Sequence, residues 1–203
     1  MSIPAVTSPI LFARGSDHNQ IELSAVILKD HDRPVRLRPM GDEAIDPIEL
    51  DATLDRVAWR YDFVLPTSSE AFYQIDDRRF PVATDIAERR RIAYVSCNGQ
   101  EQADDKRPLD ARNSMWRRLG EEHARWPFSL MLHGGDQLYA DEVLKAHPTL
   151  EAWAESDLDE KGGYQFTEEV KAAAEHYLFR RYVRLYSQPD IAPLLARIPS
   201  VMM

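Results

Sequence analysis

Two apolar runs that end in similar ways constrain this chain more than any other feature. The first, Ile92-Ala93-Tyr94-Val95, passes into Ser96-Cys97-Asn98-Gly99. The second, Leu130-Met131-Leu132, passes into His133-Gly134-Gly135-Asp136-Gln137-Leu138-Tyr139. Both are of strand length and lie about one βαβ unit apart. Two buried parallel strands joined by a helical crossover would deliver a thiol, a carboxylate and a phenol to one rim of a sheet. In open α/β sheets that rim is where ligands bind.

Those three groups suit a cation. Thiolate and carboxylate are both anionic and repel each other, and a bound metal removes the conflict while lowering the thiol pKa. Tyr139 stands three residues after Asp136, within reach of the same ion if the chain turns there, and Gly134 and Gly135 permit a sharp bend. A set of thiolate, carboxylate and phenolate fits trivalent iron better than magnesium. The carboxylate could also bridge to a second, harder ion, and two such ions can clamp a phosphate ester for in-line attack by water. Plainer readings stand beside this one. Cys97 is the only cysteine, which excludes an internal disulfide and leaves either a buried apolar filler or a reactive or metal-bound thiol. Gly-Gly-Asp is a common turn, and a tyrosine after it can simply pack at the rim. His133 is expected beneath the loop, with Asn98 and Asp141 as loop polar groups or supports and not as ligands.

Bulk properties exclude several classes. A net charge of -9 removes the electrostatic footprint of a nucleic-acid or anionic-membrane binder. The short basic runs Arg78-Arg79 and Arg89-Arg90-Arg91 read as solvated faces or ion-pair partners. No apolar run reaches transmembrane length, and Met1-Ser2-Ile3-Pro4-Ala5 lacks the features of a secretory signal, so a cytoplasmic protein is expected.

Residues 1–88 read as β structure. Strands are expected over residues 21–28, 35–38, 57–65, 71–75 and 79–83, separated by turn-forming clusters, as in a small antiparallel sandwich. His18 and His31 lie among turn residues and read as solvated. The period changes after Glu88-Arg89-Arg90-Arg91, so residues 89–203 form a second unit. A helix is expected over Leu109 to Arg125. Another is expected from the N-cap Thr167 to Tyr186, with Val170, Ala173, Ala174, Tyr177, Leu178, Tyr182 and Leu185 as one stripe. A short helix follows Pro189-Asp190, and Ser200-Val201-Met202-Met203 opens a further strand. A chain that stops there is expected to be a fragment or a truncated product.

The motifs resemble a known family. Ser96-Cys97-Asn98 with Gly135-Asp136-Gln137-Leu138-Tyr139-Ala140-Asp141 resembles the PhoD-like (alkaline phosphatase D) branch of the calcineurin-like metallophosphoesterases. In that branch a cysteine replaces an Asp-X-His motif and the next motif reads Gly-Asp-X-X-Tyr. The segments around Arg180-Arg181-Tyr182 and Leu194-Leu195-Ala196-Arg197-Ile198-Pro199 are similar to the stretch that follows. The resemblance implies an α+β chain: an N-terminal antiparallel β-sandwich, then an incomplete αββα metallophosphoesterase core. It implies Cys97 and Tyr139 as iron ligands and Asp136 as the catalytic carboxylate bridging iron to calcium or another divalent metal. The implied activity is hydrolysis of phosphate monoesters or diesters. The family's Trp-Asp-Asp-His motif and later ligands lie beyond residue 203, so the site is expected to be partial. A non-catalytic relative serving as a binding or interaction module is the alternative.

Overall fold

The computed structural model describes residues 7–30, 34–53, 56–68, 70–84, 91–98 and 106–202. His31, the boundary run Glu88 to Arg90 and Gly99 therefore lie outside the described residues. Ten strands run in chain order: β1 Ile10–Ser16, β2 Gln20–Asp30, β3 Leu37–Pro39, β4 Ile48–Thr53, β5 Arg56–Pro66, β6 Phe72–Ile75, β7 Arg78–Pro81, β8 Ile92–Val95, β9 Leu130–His133 and β10 Ser200–Met202. Among the described residues five α-helices accompany them: α1 Leu109–Arg112, α2 Ser114–Arg125, α3 Pro148–Glu155, α4 Glu168–Tyr186 and α5 Ala192–Leu195. Among the described residues no helix is long and apolar enough to cross a membrane.

Seven strands form one mixed sheet in the order β4-β5-β2-β1-β10-β9-β8. The half from β4 to β1 is antiparallel and the half from β1 to β8 is parallel. Because β10 pairs with β1 through Phe12↔Ser200, the sheet runs across the change of period near residue 88. The antiparallel sheet β3-β6-β7 packs its own apolar side chains into the same core as the larger sheet. Phe63 of β5 meets Tyr73 of β6 with ring centroids 5.4 Å apart. Tyr61, fully buried, donates its hydroxyl hydrogen bond to Val35 O at 2.8 Å. Tyr73 donates to Ala196 O at 2.6 Å, tying this layer to the turn after α5. Each such ring contributes roughly 1.5–3 kcal/mol through burial of its apolar surface.

A second core cluster lies under the parallel half. Ala93 and Met131 meet Trp116, Phe128, Leu185, Leu194, Leu195 and Ile198. The sequence suggests two buried strands here, but β8 is the sheet's edge and only Ala93 is buried in it. Ile92 and Tyr94, 51% and 65% exposed, point to the opposite face. There they align with Leu130, Leu132 and Val201 through the register.

The expected helix over Leu109 to Arg125 is broken at Asn113, which ends α1 and precedes α2. Its buried amide donates to Gln188 Oε1 at 2.7 Å, so a tertiary bond holds the break. Thr167 caps α4 as expected, accepting from Val170 N. The α4 stripe is shifted: Val183 is buried, whereas Tyr182 is exposed and Tyr177 lines a cavity. His18 is exposed, as its turn-rich surroundings imply.

His123 ends α2 against the core. Burial first, then the charges of Arg197 and Arg91, lowers its pKa to about 4. Its Nδ1 accepts from Phe128 N at 3.0 Å, which requires the neutral ring. The folded state therefore binds fewer protons than the unfolded state between about pH 6.5 and 4, and stability is lost as the pH drops through that window. Urea titrations at pH 7.5 and pH 5 should show this loss, and His123→Asn should reduce it. An unchanged pH slope in the variant would contradict the assignment.

Candidate active site at the strand ends

The parallel strands β8 and β9 bring their carboxyl ends to one rim, with Val95 opposite His133. Past that level each chain turns through a left-handed residue: Cys97 has φ 53° and Asp136 has φ 60°. This backbone costs a non-glycine residue about 1–2 kcal/mol, less for Asp, whose short polar side chain is tolerated there. Strain of this kind concentrates at functional sites. The two turns are bonded together. Cys97 N donates to Gly135 O at 3.0 Å and Gly134 N donates to Val95 O at 2.8 Å. Gly134 leaves room for the Tyr94 hydroxyl, and a Cβ there would displace that exposed ring.

Beneath the rim, His133 is fully buried. Gln137 donates through Nε2 to Val95 O and Gly134 O, both at 3.1 Å, so its Oε1 faces His133 Nδ1 at 3.2 Å. Nδ1 must then carry the proton. Nε2 stands 3.2 Å from Ser200 Oγ, whose one hydrogen is shared between this nitrogen and Ile198 O at 3.3 Å. Burial lowers the His133 pKa, with the Gln137 bond opposing, and the ring ties the end of β9 to Ser200 of β10 and to Gln137 in the loop. His133 thus supports the loop from below.

The result is a thiol beside a carboxylate. Cys97 Sγ lies 3.7 Å from Asp136 Oδ2, and both residues are exposed. Free cysteine is among the most buried residue types, so exposure removes the reading of Cys97 as an apolar filler. The separation fits two ligands of one ion: bonds of about 2.3 Å to sulfur and 2.1 Å to oxygen at a tetrahedral angle place the atoms about 3.6 Å apart. Among the described residues, no three of the His, Cys, Asp and Glu side chains converge as a metal-binding group.

Residues 77–203, more than half of the chain, match the family model of the PhoD-related phosphatases. The chain belongs to that family. The matched region contains the whole rim. The chain is also similar to the uncharacterized protein YGR266W of Saccharomyces cerevisiae, with 30% identity over 136 residues, covering 63% of this chain. The chain spans 19% of that relative's length. No solved structure matches the chain.

In this member of the PhoD-related family Tyr139 is half-buried, in the wall of a small cavity shared with Leu138, Arg181 and Arg184. The structure therefore brings Cys97 and Asp136 together and places Tyr139 in the adjoining wall. Arg181 of α4 donates through Nε to Tyr139 O at 3.3 Å. Its Nη1 stands 3.9 Å from Glu142 Oε2, which also accepts from the Tyr177 hydroxyl at 2.9 Å. Burial, then Glu142, pushes the Tyr177 pKa up to about 12. Asn98 is buried, and its Oδ1 accepts from Trp116 Nε1 at 2.7 Å. Indole only donates, so this bond fixes the amide orientation and leaves Asn98 Nδ2 without a partner among the described residues. Asp141 is exposed at the start of a 3-10 turn, Asp141–Lys145. Gln137 and Arg181 lie within the motifs the sequence singles out, but nothing in the sequence marks them or Ser200 as supports of the site. Only the strand pairing and the position of α4 bring them to the site.

Left-handed strain at Cys97 is directly testable. Cys97→Gly removes the Cβ that makes this backbone unfavourable, whereas Cys97→Ala keeps it. In metal-free buffer, urea unfolding should show the Gly variant more stable than the Ala variant by about 1 kcal/mol. A more stable Ala variant would mean that position 97 carries no such strain.

Proposed function

We propose that this chain carries the metal-binding rim of a hydrolase of phosphate monoesters or diesters. One observation carries the reading: in a PhoD-related chain, an exposed thiol and an exposed carboxylate meet at 3.7 Å on strained turns at adjacent parallel strand ends. Cys97 and Tyr139 would hold iron, and Asp136 would bridge it to calcium or another divalent ion. Bound there, such ions would polarise the phosphoryl oxygens and lower the pKa of a water nucleophile. The chain's own part is to hold the ligands still. The Gln137–His133–Ser200 relay fixes the height of the rim, and Arg181 fixes the backbone at Tyr139. In the finer fold reading, residues 1–88 form a sandwich domain and residues 89–203 contribute the first part of an αββα core. Small phosphate esters in the cytoplasm are the expected partners, in keeping with an acidic chain that has little attraction for nucleic acid.

A second reading, a non-catalytic interaction module, is favoured by the apolar row Ile92, Tyr94, Leu132 and Val201 on the sheet's open face. Metal analysis separates the two. Asp136→Asn keeps a side chain that tolerates left-handed backbone but removes the charge. It should lose most bound iron and any tyrosinate–iron absorption band, while Asp141→Asn retains both. Hydrolysis of bis(p-nitrophenyl) phosphate should follow the metal. Equal metal content in the two variants would refute the hydrolase site, and a folded protein with neither metal nor hydrolysis would establish the module.

A further inference from the structure

One phenol at the rim has no part in the ligand set. Side chains alternate along β8: Ala93 is buried in the core, and Tyr94 stands on the opposite face, 65% exposed. In register Tyr94 is paired with Leu132, two residues short of Gly134. Its hydroxyl and Cζ nevertheless fill the place that a Cβ on Gly134 would take. The ring therefore leans along the strand toward the carboxyl ends, and its hydroxyl reaches the first residue past β9. Gly134 donates to Val95 O, and the next residue, Gly135, accepts from Cys97 N. Tyr94 thus rests on the turn that presents Asp136, which is itself bonded to the turn that presents Cys97.

Two observations set this ring apart from the rest of the open face. Ile92, Leu132 and Val201 carry no polar side-chain atom, whereas the Tyr94 hydroxyl can donate and accept. It has no hydrogen-bond partner among the described residues. Gly134, for its part, does not have the left-handed backbone that calls for glycine. The nearest atoms that a Cβ there would meet all belong to Tyr94. The missing side chain at 134 leaves the phenol its place at the rim.

We propose that Tyr94 is a substrate-binding residue of this rim, and that its hydroxyl donates a hydrogen bond to a non-bridging oxygen of the phosphate ester. This role rests on the hydrolase reading. The ligands in that reading, thiolate, carboxylate and phenolate, are acceptors, and none of them can donate to a phosphate oxygen. A phenol already seated against the turn supplies a neutral donor at little cost in reorganisation. It keeps its proton throughout, so no proton transfer of the hydrolysis passes through it.

The probe is inorganic phosphate, titrated calorimetrically into the chain loaded with iron and calcium. Tyr94→Phe keeps the exposed ring and removes only the hydroxyl. It should weaken phosphate binding about tenfold, the effect of one hydrogen bond to a charged group, with bound iron unchanged. Gly134→Ala pushes the ring aside. It should weaken binding similarly in the parent and have no further effect in Tyr94→Phe. Ile92→Ala, on the same face but farther from the rim, should stay within twofold of the parent. Phosphate binding within twofold of the parent in Tyr94→Phe, or none in the metal-loaded parent, would overturn the role. So would an undiminished effect of Gly134→Ala in the Tyr94→Phe background, because the loss would then not pass through the hydroxyl. These outcomes leave the hydrolase reading standing if bis(p-nitrophenyl) phosphate is still hydrolysed. A parent that takes up no iron and hydrolyses no phosphate ester would sink that reading, and this role with it.

Discussion

Three residues, Ser200–Met202, hold the larger sheet together. As β10 they pair with β9 on one side and with β1 on the other, joining a parallel half to an antiparallel half. The turn before them belongs to both cores: Ala196 packs under β1, β2 and β6, and Leu194, Leu195 and Ile198 pack under β8 and β9. Tyr73 closes the arrangement by donating to Ala196 O from the smaller sheet. The strand ends that carry the candidate site are level only because this short segment is in place.

Support of the rim follows from the same pairing. Ser200 is buried where its hydroxyl meets His133, and His133 in turn orients Gln137. Gln137 and the turn backbones make four hydrogen bonds, three of them across the two loops. At about 0.5–1.5 kcal/mol each, these offset the left-handed backbone at Cys97 and Asp136, about 1–2 kcal/mol per residue. A thiol and a carboxylate are thereby held side by side in solvent, with Cys97 Sγ placed to donate to Asp136 Oδ2. Arg181 lines both an arginine-rich cavity along α4 and the small cavity that holds Tyr139.

Much of this was legible in the residues. Alternation of apolar side chains marked β2, β5, β6 and β7, since a half-buried strand imposes a period of two. Thr167 marked the start of α4 because its hydroxyl accepts a free helix N–H. The strand-end Cys97 and Asp136 were likewise visible as a pair. Less was legible where tertiary contacts outweigh local preference. Asn113 breaks a periodic helix because Gln188 claims its amide. β1 and β4 carry bulges that interrupt their pairing registers, at Ala13/Gly15 and Glu49/Asp51. α3 begins on His147 with Pro148 in its first turn, a cap whose acceptor is an imidazole nitrogen.

Local chemistry along the chain determined which groups could form a site: one thiol, one carboxylate after a glycine pair and one phenol. These depend on residue identity and short spacing, which sequence carries directly. Tertiary structure alone decided that Cys97 is exposed and not buried, that its sulfur lies 3.7 Å from Asp136, and that Gln137, Ser200 and Arg181 support the rim. Those outcomes depend on β10 threading between strands from opposite ends of the chain, and no local pattern encodes the partner of a strand so distant in sequence.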